Sequence, residues 1–345
     1  MYFRSTIVRG SVLVLGLVAS LSVAAGCGRY SISNLRSVKA FKDGTEAYKK
    51  SDFVEAAKHF EESISYSGDQ GIVYFYLANC YDQQFKPSHK GEPANDEFMK
   101  KAVENYQKAI DVLSKPTTGT EDPKLVEAYE KFRRYSYEYM IAAYGPDKLD
   151  DFDKAEPIAK KLIELTPNEP VNYQALGKLY EDRGMYDQAE EMFKKAVQAK
   201  PSDPSVFTAL AGYYNRQGDF DKTMEALRQR TALEPNNPEA YHYMATFYQD
   251  KVAKEYRLTK PEQRQYVLQG IEAEDKALAL NPNYSEAMVY KNIFLRQQAN
   301  TEKDPGAQKR LIDEADRLRA KAIELQKKAN QAAGDAAAAG AKKEK

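Results

Sequence analysis

The residue types that most often carry out catalysis are few and scattered in this chain of 345 residues. Two cysteines, Cys27 and Cys80, lie far apart, and three histidines, His59, His89 and His242, are too widely spaced to form a metal cluster. The sequence contains no Gly-rich phosphate loop, no His-Glu-x-x-His and no Gly-x-Ser-x-Gly motif. We therefore predict a protein that is not an enzyme and that binds neither a metal nor a cofactor.

Charge and composition exclude two further classes. The 51 Lys and Arg residues are balanced by 51 Asp and Glu residues, whereas nucleic-acid binders draw most of their affinity from a cationic face. The 18 Gly and 15 Pro residues are few for this length and favour helices over a β-rich fold. We predict a helical protein without a nucleic-acid partner.

Cys27 ends a segment with the order of a secretory signal peptide. Arg4 and Arg9 precede an apolar stretch, Val12–Ala25, which is shorter than the ~20 residues that a membrane-spanning helix needs. The last residues, Ala-Ala-Gly-Cys, resemble the lipobox of bacterial lipoproteins, in which the cysteine is diacylated and begins the mature chain. The resemblance implies a signal peptide over residues 1–26 and a lipid anchor on Cys27. Ordinary signal-peptidase cleavage and a retained anchor stay open.

The residue after the cysteine bears on location. Gly28 stands where an Asp often retains lipoproteins at the inner membrane. By the same resemblance we expect the outer membrane of a Gram-negative cell, with the protein facing the periplasm.

A 34-residue period is the strongest regularity of the sequence. Two consecutive copies share a motif in which two aromatic residues enclose a Leu and a small residue. The copies are Tyr173, Leu176, Gly177 and Tyr180, followed by Phe207, Leu210, Ala211 and Tyr214. The spacing and the prolines that close the copies, Pro201 and Pro235, resemble the tetratricopeptide repeat, a helix-turn-helix unit. The resemblance implies an all-α solenoid of about six to seven helix pairs with a C-terminal capping helix.

The looser copies on either side set the expected organisation. We predict a linker over residues 27–38, a repeat array over 39–305, a capping helix over 306–333 and a disordered tail over 334–345. The capping helix has apolar residues at four-three spacing, for which a coiled coil with a partner chain is the alternative. These residues are Leu311, Ala315, Leu318, Ala322 and Leu325.

First helices of this repeat family line a concave groove, so position in the unit identifies candidate binding residues. By the same positional rule Cys80 is a core residue, with a disulfide to an unlipidated Cys27 as its rival. The predicted groove residues are Phe75, Asn79, Tyr135, Glu138, Gln174, Lys178, Asn215 and His242. Extra residues in a repeat array are another candidate, because they lie at an edge as loops. The three insertions are 84–97, 115–124 and 251–266.

Together these features predict a membrane-tethered scaffold that binds other envelope proteins or their peptides. The alternative is a periplasmic binding protein for a soluble peptide or glycan. A deep aromatic pocket around Phe75, Tyr76 and Tyr135 would favour that alternative.

Overall fold

The computed structural model describes residues 32–116 and 122–343, with side chains as far as residue 334. These residues form fourteen α-helices, and no β-strand occurs among them. The first unit contains α1 (Ile32–Lys49), α2 (Phe53–Tyr66), α3 (Gly71–Gln84), α4 (Pro93–Leu113), α5 (Pro123–Ala143), α6 (Phe152–Leu165) and α7 (Pro170–Asp182). The second contains α9 (Pro204–Arg216), α10 (Phe220–Leu233), α11 (Pro238–Lys254), α12 (Lys260–Leu280), α13 (Ser285–Ala299) and α14 (Pro305–Lys343). The division between the two compact units falls between Met192 and Phe193, within α8 (Tyr186–Ala199).

The helix starts follow from the sequence. Asp203 and Asn237 precede α9 and α11, and their side chains accept backbone N–H groups of the first turn. Pro204 and Pro238 occupy the first helical position, where a missing N–H costs nothing. Thr259 precedes α12 and forms a reciprocal capping box with Glu262. Such caps satisfy donors that have no partner inside the helix.

One turn type joins the two helices of four pairs. Gly184 and Gly218, with φ of 72° and 76°, stand two residues before the aromatic residue that begins the next helix. Ser51 and Asp150 take the same place in the first and third pairs, with φ of 61° and 54°. This left-handed backbone conformation favours glycine, and the two regular copies have glycine at this position.

Small residues on the second helices allow each pair to close. These fully buried residues are Ala56, Ala102, Ala155, Ala189 and Thr223. Gly44 on α1 serves the same purpose, because a Cβ atom there would lie 2.8 Å from the ring of Phe60 on α2. From α1 to α7, and again from α9 to α14, each helix contacts the next, as expected for stacked helix pairs.

Each unit has its own core. In the first unit, the rings of Phe41, Phe60 and Tyr76 lie within 6.0 Å of one another. In the second, Leu227 and Phe294, from α10 and α13, are fully inaccessible and pack in one cluster.

The expected linker is partly helical. The signal peptide and Cys27 lie outside the described residues, but α1 begins at Ile32 instead of after residue 38. Hydrogen bonds to α2 account for the extra turns: the Ser33 hydroxyl donates to the carbonyl of Tyr66, and the buried Ser37 hydroxyl donates to that of Ser63.

The final helix also differs from expectation. The structure continues α14 to Lys343, across most of the segment where a disordered tail was predicted, in keeping with the high helix propensity of its alanines. Its apolar stripe packs within the chain: Ala315 and Ala322 are buried, and Lys291 on α13 pairs with Glu314 on α14 at 2.6 Å. Leu311, Leu318 and Leu325 of the stripe stay partly exposed, so a coiled coil with a partner chain stays an alternative for them.

Candidate functional site

The α3 face predicted to line a groove is buried. Phe75 is 4% exposed and Asn79 is 2% exposed. The ring of Phe75 lies 5.1 Å from that of Phe132 and 5.6 Å from that of Tyr139, both on α5. The long helix α5 covers α3, so the prediction that Phe75 and Asn79 line an open groove is wrong.

Polar groups on this covered face are paired instead. The Tyr48 hydroxyl donates to Oδ1 of Asn79 at 2.5 Å, and Nδ2 of Asn79 lies 3.4 Å from the Tyr106 hydroxyl. One turn further along α3, the buried carboxylate of Asp82 accepts a hydrogen bond from Nζ of Lys148 at 2.5 Å. Burial raises the pKa of the Tyr76 phenol to about 12, as expected for a ring without access to water.

The burial of this face also removes the evidence for the alternative function. An aromatic pocket around Phe75, Tyr76 and Tyr135 was to hold a soluble ligand, but Phe75 and Tyr76 are core residues. Only Tyr135 is partly exposed.

An open groove lies where α5 passes the end of α6, and Tyr135 is one of its walls. The groove has a volume of about 550 Å³. Its lining residues are Glu127, Glu130, Lys131, Arg133, Arg134, Tyr135, Tyr137, Leu162, Leu165 and Thr166. We call it the α5–α6 groove.

Tyr135 is held between the core and two cations. Its ring lies 6.1 Å from those of Phe75 and Phe132, while Nζ of Lys131 and Cζ of Arg134 lie 5.7 Å and 5.6 Å from its centroid. Cations over an aromatic face attract it electrostatically and fix its orientation. The ring is therefore preorganised, which lowers the entropy lost when a ligand binds.

Glu138 lies next to this groove, one turn beyond Arg134. Its carboxylate is 3.7 Å from Nε of Arg134, and its side chain is largely buried. Burial raises the pKa of Glu138, and the charge of Arg134 opposes that rise. Glu138 positions Arg134 at the edge of the groove.

Leu165 supplies the exposed apolar surface of the groove. It is the last residue of α6 and is 39% exposed. Positional analysis of first helices missed Leu165, Lys131 and Arg134, because it considers only one face of each helix and assumes equal helix lengths. The 21-residue length of α5, beginning at the proline of Asp122-Pro123, is the signal that could have identified the groove.

The remaining predicted residues of the first unit do not line this groove. Gln174 is half-buried on α7. Lys178 is exposed and bonds to Asp182, with Glu181 at 3.8 Å. Its binding role stays a prediction.

In the second unit, Asn215 is exposed near the end of α9, whereas His242 is turned into the protein. Nδ1 of His242 lies 2.9 Å from Oε1 of Glu274 on α12, whose side chain is fully buried. The rings of Tyr284 and Tyr290 each lie 5.1 Å from the imidazole. His242 is therefore a largely buried contact, not a free groove residue.

Glu274 is a residue that the sequence analysis missed. It stands eight residues before Pro282, as Phe193 and Leu227 stand eight before Pro201 and Pro235, so a carboxyl group replaces a large apolar side chain. Burial raises its pKa to about 7, while the hydrogen bond from His242 acts in the opposite direction. Among the described residues, its Oε2 atom has no hydrogen-bond partner. The signal available in the sequence was a charged residue, Glu274, at a repeat position that is apolar in the two preceding copies.

The insertions differ from one another. The first, 84–97, contains a short 3₁₀ turn, Pro87–His89, and the start of α4. Most of the second, 115–124, lies outside the described residues. The third, 251–266, lengthens α11 and α12 and is mainly helical, where the sequence predicted a loop.

The described residues offer neither a metal site nor a membrane-spanning helix. Within the described part of the chain, no group of three or more His, Cys, Asp or Glu side chains is placed to hold a metal. No helix in the same ranges is both long enough and apolar enough to cross a bilayer.

Cys80 is buried on α3, and burial raises the pKa of its thiol well above the ordinary range. Its predicted core position is confirmed.

Comparison with known proteins supports the repeat interpretation. Two tetratricopeptide-repeat family models match residues 148–213 and 204–247. A comparison with curated proteins gives no significant match.

Three solved structures show how far the likeness extends. The C-terminal part of a tetratricopeptide-repeat protein from Cytophaga hutchinsonii covers 83% of this chain and 98% of its own, at 17% identity and a TM-score of 0.50. A tetratricopeptide-repeat protein from Parabacteroides merdae covers 81% and 99%, at 13% identity and a TM-score of 0.44. YrrB, titled a repeat protein with an unusual peptide-binding site, covers 59% and 97%, at 16% identity and a TM-score of 0.35.

The fold class is therefore an all-α helical solenoid that contains tetratricopeptide repeats. Proteins with these repeats generally mediate protein–protein interactions, and the fold is typically a non-enzymatic scaffold.

Proposed function

We propose that this protein is a non-enzymatic scaffold that binds segments of other envelope proteins and is tethered to a membrane through a lipid on Cys27. The single observation that supports the binding role most strongly is the open α5–α6 groove. It combines a fixed aromatic ring, an exposed leucine and charges of both signs in one concave surface.

The lining of the groove indicates the chemistry of its partner. Leu165 offers an exposed apolar contact, and Tyr135 adds a flat ring beside it. Such anchors fit one or two apolar side chains of an extended or helical peptide. Around them, Glu127 and Arg133 are examples of charges that select complementary groups on the peptide. The preferred partner is thus a segment with an apolar anchor flanked by both charge signs.

The tether is supported by the sequence alone. A basic flank, a short apolar core and small residues before a cysteine are the order that a lipoprotein precursor needs. Acyl chains contribute ~0.8 kcal/mol per buried methylene, so two or more hold a protein on a bilayer without a spanning helix. Gly28 after the cysteine favours the outer membrane, with the repeats in the periplasm.

The non-enzymatic role is supported by how the buried titratable groups are used. Asp82 is paired with Lys148, and Glu274 contacts His242, in both cases within the packed interior. Glu138, the largely buried carboxyl group beside the α5–α6 groove, is likewise held by a cation, with Nε of Arg134 at 3.7 Å.

A matched pair of variants tests the proposed binding site. Leu165 and Leu233 are each the final residue of a 14-residue second helix and are 39% and 42% exposed, but only Leu165 lines the groove. Leu165→Asp and Leu233→Asp are compared with the unaltered protein after chemical cross-linking in the envelope and affinity purification. We expect Leu165→Asp alone to lose its cross-linked proteins by tenfold or more. Equal recovery with both variants would contradict the proposed site.

A separate variant tests the tether. In Cys27→Ala the acceptor of the lipid is absent, so we expect the protein to leave the membrane fraction while keeping its helical circular dichroism. Mass spectrometry of the N-terminal peptide of the unaltered protein should show a diacylated cysteine. An unmodified cysteine in a membrane-bound protein would contradict the tether and leave the groove proposal standing.

A further inference from the structure

The first helix has an apolar face that the described part of the chain does not cover. Ile32, Leu35 and Val38 are 69%, 58% and 51% exposed, whereas its opposite face, which includes Ser37 and Phe41, is buried against the first unit. At 100° per residue, Ile32 and Leu35 project on the outer side of α1. Exposed apolar residues so close together on one helix indicate a contact surface.

Over residues 32–42 the charges of α1 have one sign. Arg36, Lys39 and Lys42 are exposed on α1, and the first acidic residue of the helix is Asp43. At 100° per residue, Lys39 and Lys42 fall on the same side of α1 as Leu35, so basic and apolar side chains share one exposed face. Such a face is suited to the interface of an anionic bilayer. Each Lys or Arg near an anionic bilayer adds to the attraction.

The position of α1 in the chain indicates what contacts its exposed apolar face. Ile32 is five residues after Cys27, and an extended chain spans at most ~3.6 Å per residue, so α1 begins within about 18 Å of the cysteine. With lipid on Cys27, that distance keeps α1 beside the headgroups. A second copy of the chain is disfavoured, because the same three cations would face each other.

We propose that the outer face of α1, formed by Ile32, Leu35 and Val38 with Arg36, Lys39 and Lys42, lies on the anionic lipid surface. This inference rests on the proposed lipid tether and adds a second membrane contact to it. The contact fixes which end of the first unit faces the bilayer, whereas a lipid anchor alone would not.

The absence of tryptophan from the chain gives a direct test. Leu35→Trp introduces a single fluorophore on the proposed face, and Val54→Trp introduces one at a site that is 55% exposed at the start of α2, near the other end of α1. Each full-length lipoprotein is reconstituted into vesicles of phosphatidylethanolamine and phosphatidylglycerol, with and without bromine on the acyl chains. Bromine quenches only fluorophores that enter the bilayer.

We expect the tryptophan of Leu35→Trp to emit at shorter wavelength than that of Val54→Trp and to lose more than half of its emission in brominated vesicles. Adding Lys39→Glu and Lys42→Glu should reduce that quenching. If the acylated protein sits on the vesicles but neither variant is quenched, the inference is wrong and the tether stands. A blue shift without quenching means that protein covers the face, which also overturns the inference. If Cys27 carries no lipid, both the tether and the inference fail.

Discussion

Nδ1 of His242 lies 2.9 Å from Oε1 of Glu274, and this contact joins the two helices of the sixth pair through a carboxyl group that is fully buried. The same place in the two preceding repeats holds Phe193 and Leu227. The protein thus keeps a titratable group where its neighbours use apolar packing, and the stability of the second unit becomes sensitive to pH.

That sensitivity has a definite sign. Glu274 has a folded-state pKa of about 7, above the ordinary value of 4.5, so between these values the folded chain binds more protons than the unfolded chain. Stability should therefore fall as the pH rises from about 4.5 to about 7, by on the order of 2 kcal/mol. In Glu274→Gln this fall should be largely lost, which denaturant titrations at several pH values would measure. An unchanged pH dependence in the variant would contradict the assignment.

Phe75 and Tyr135 should differ in their effect on stability. Phe75 is enclosed by aromatic rings, so Phe75→Ala should destabilise the first unit by about 3–5 kcal/mol. Tyr135 is partly exposed, and Tyr135→Ala should cost about 1–2 kcal/mol through the lost ring and cation contacts. Urea unfolding followed by circular dichroism distinguishes them. Equal losses would show that α5 does not cover α3 as described.

Removing only one partner of the ion pair between Asp82 and Lys148 should lower the free energy of unfolding. Lys148→Met leaves the carboxylate of Asp82 buried without its partner, and we expect a loss of about 3 kcal/mol. The double variant Asp82→Asn with Lys148→Met removes the stranded charge and should recover much of that loss. A double-mutant cycle of unfolding free energies measures the coupling. Additive single effects would show that the two groups do not interact.

Cys80 should be unreactive in the folded protein. Its thiol is buried on α3 and its pKa is raised by burial, so little thiolate forms at neutral pH. We expect a water-soluble thiol reagent to modify Cys80 in denaturant and to leave it unmodified in native buffer over the same period. Rapid modification of the native protein at this residue would show that α3 is accessible.

Much of the fold could be predicted from the sequence, because repeat packing is local and periodic. The 34-residue period and the prolines predicted the regular helix pairs, and the start of the final helix was predicted to within one residue. Helix boundaries outside the regular copies were harder to predict. The early start of α1 depends on hydrogen bonds from Ser33 and Ser37 to α2, and such contacts leave no periodic signal.

The binding surface was predicted less well, for a geometric reason. Position within a repeat tells which side of a first helix faces the concave surface of a regular solenoid. It does not tell whether a longer neighbouring helix covers that side, as α5 covers Phe75 and Asn79. The α5–α6 groove arises from the same irregular helix length. Position within a first helix therefore could not identify Leu165, Lys131 and Arg134 as groove residues.

If the proposed function is right, the α5–α6 groove holds a segment of another protein at the membrane. The most direct measurement replaces Tyr135 by p-benzoylphenylalanine in the lipidated protein and irradiates intact cells. The control places the same residue at Tyr256, which is 85% exposed and lies outside the groove. We predict a discrete protein adduct from position 135 that disappears when Leu165→Asp is added, and no such adduct from position 256. No adduct from position 135, or an adduct that persists in the Leu165→Asp background, would contradict binding in the groove.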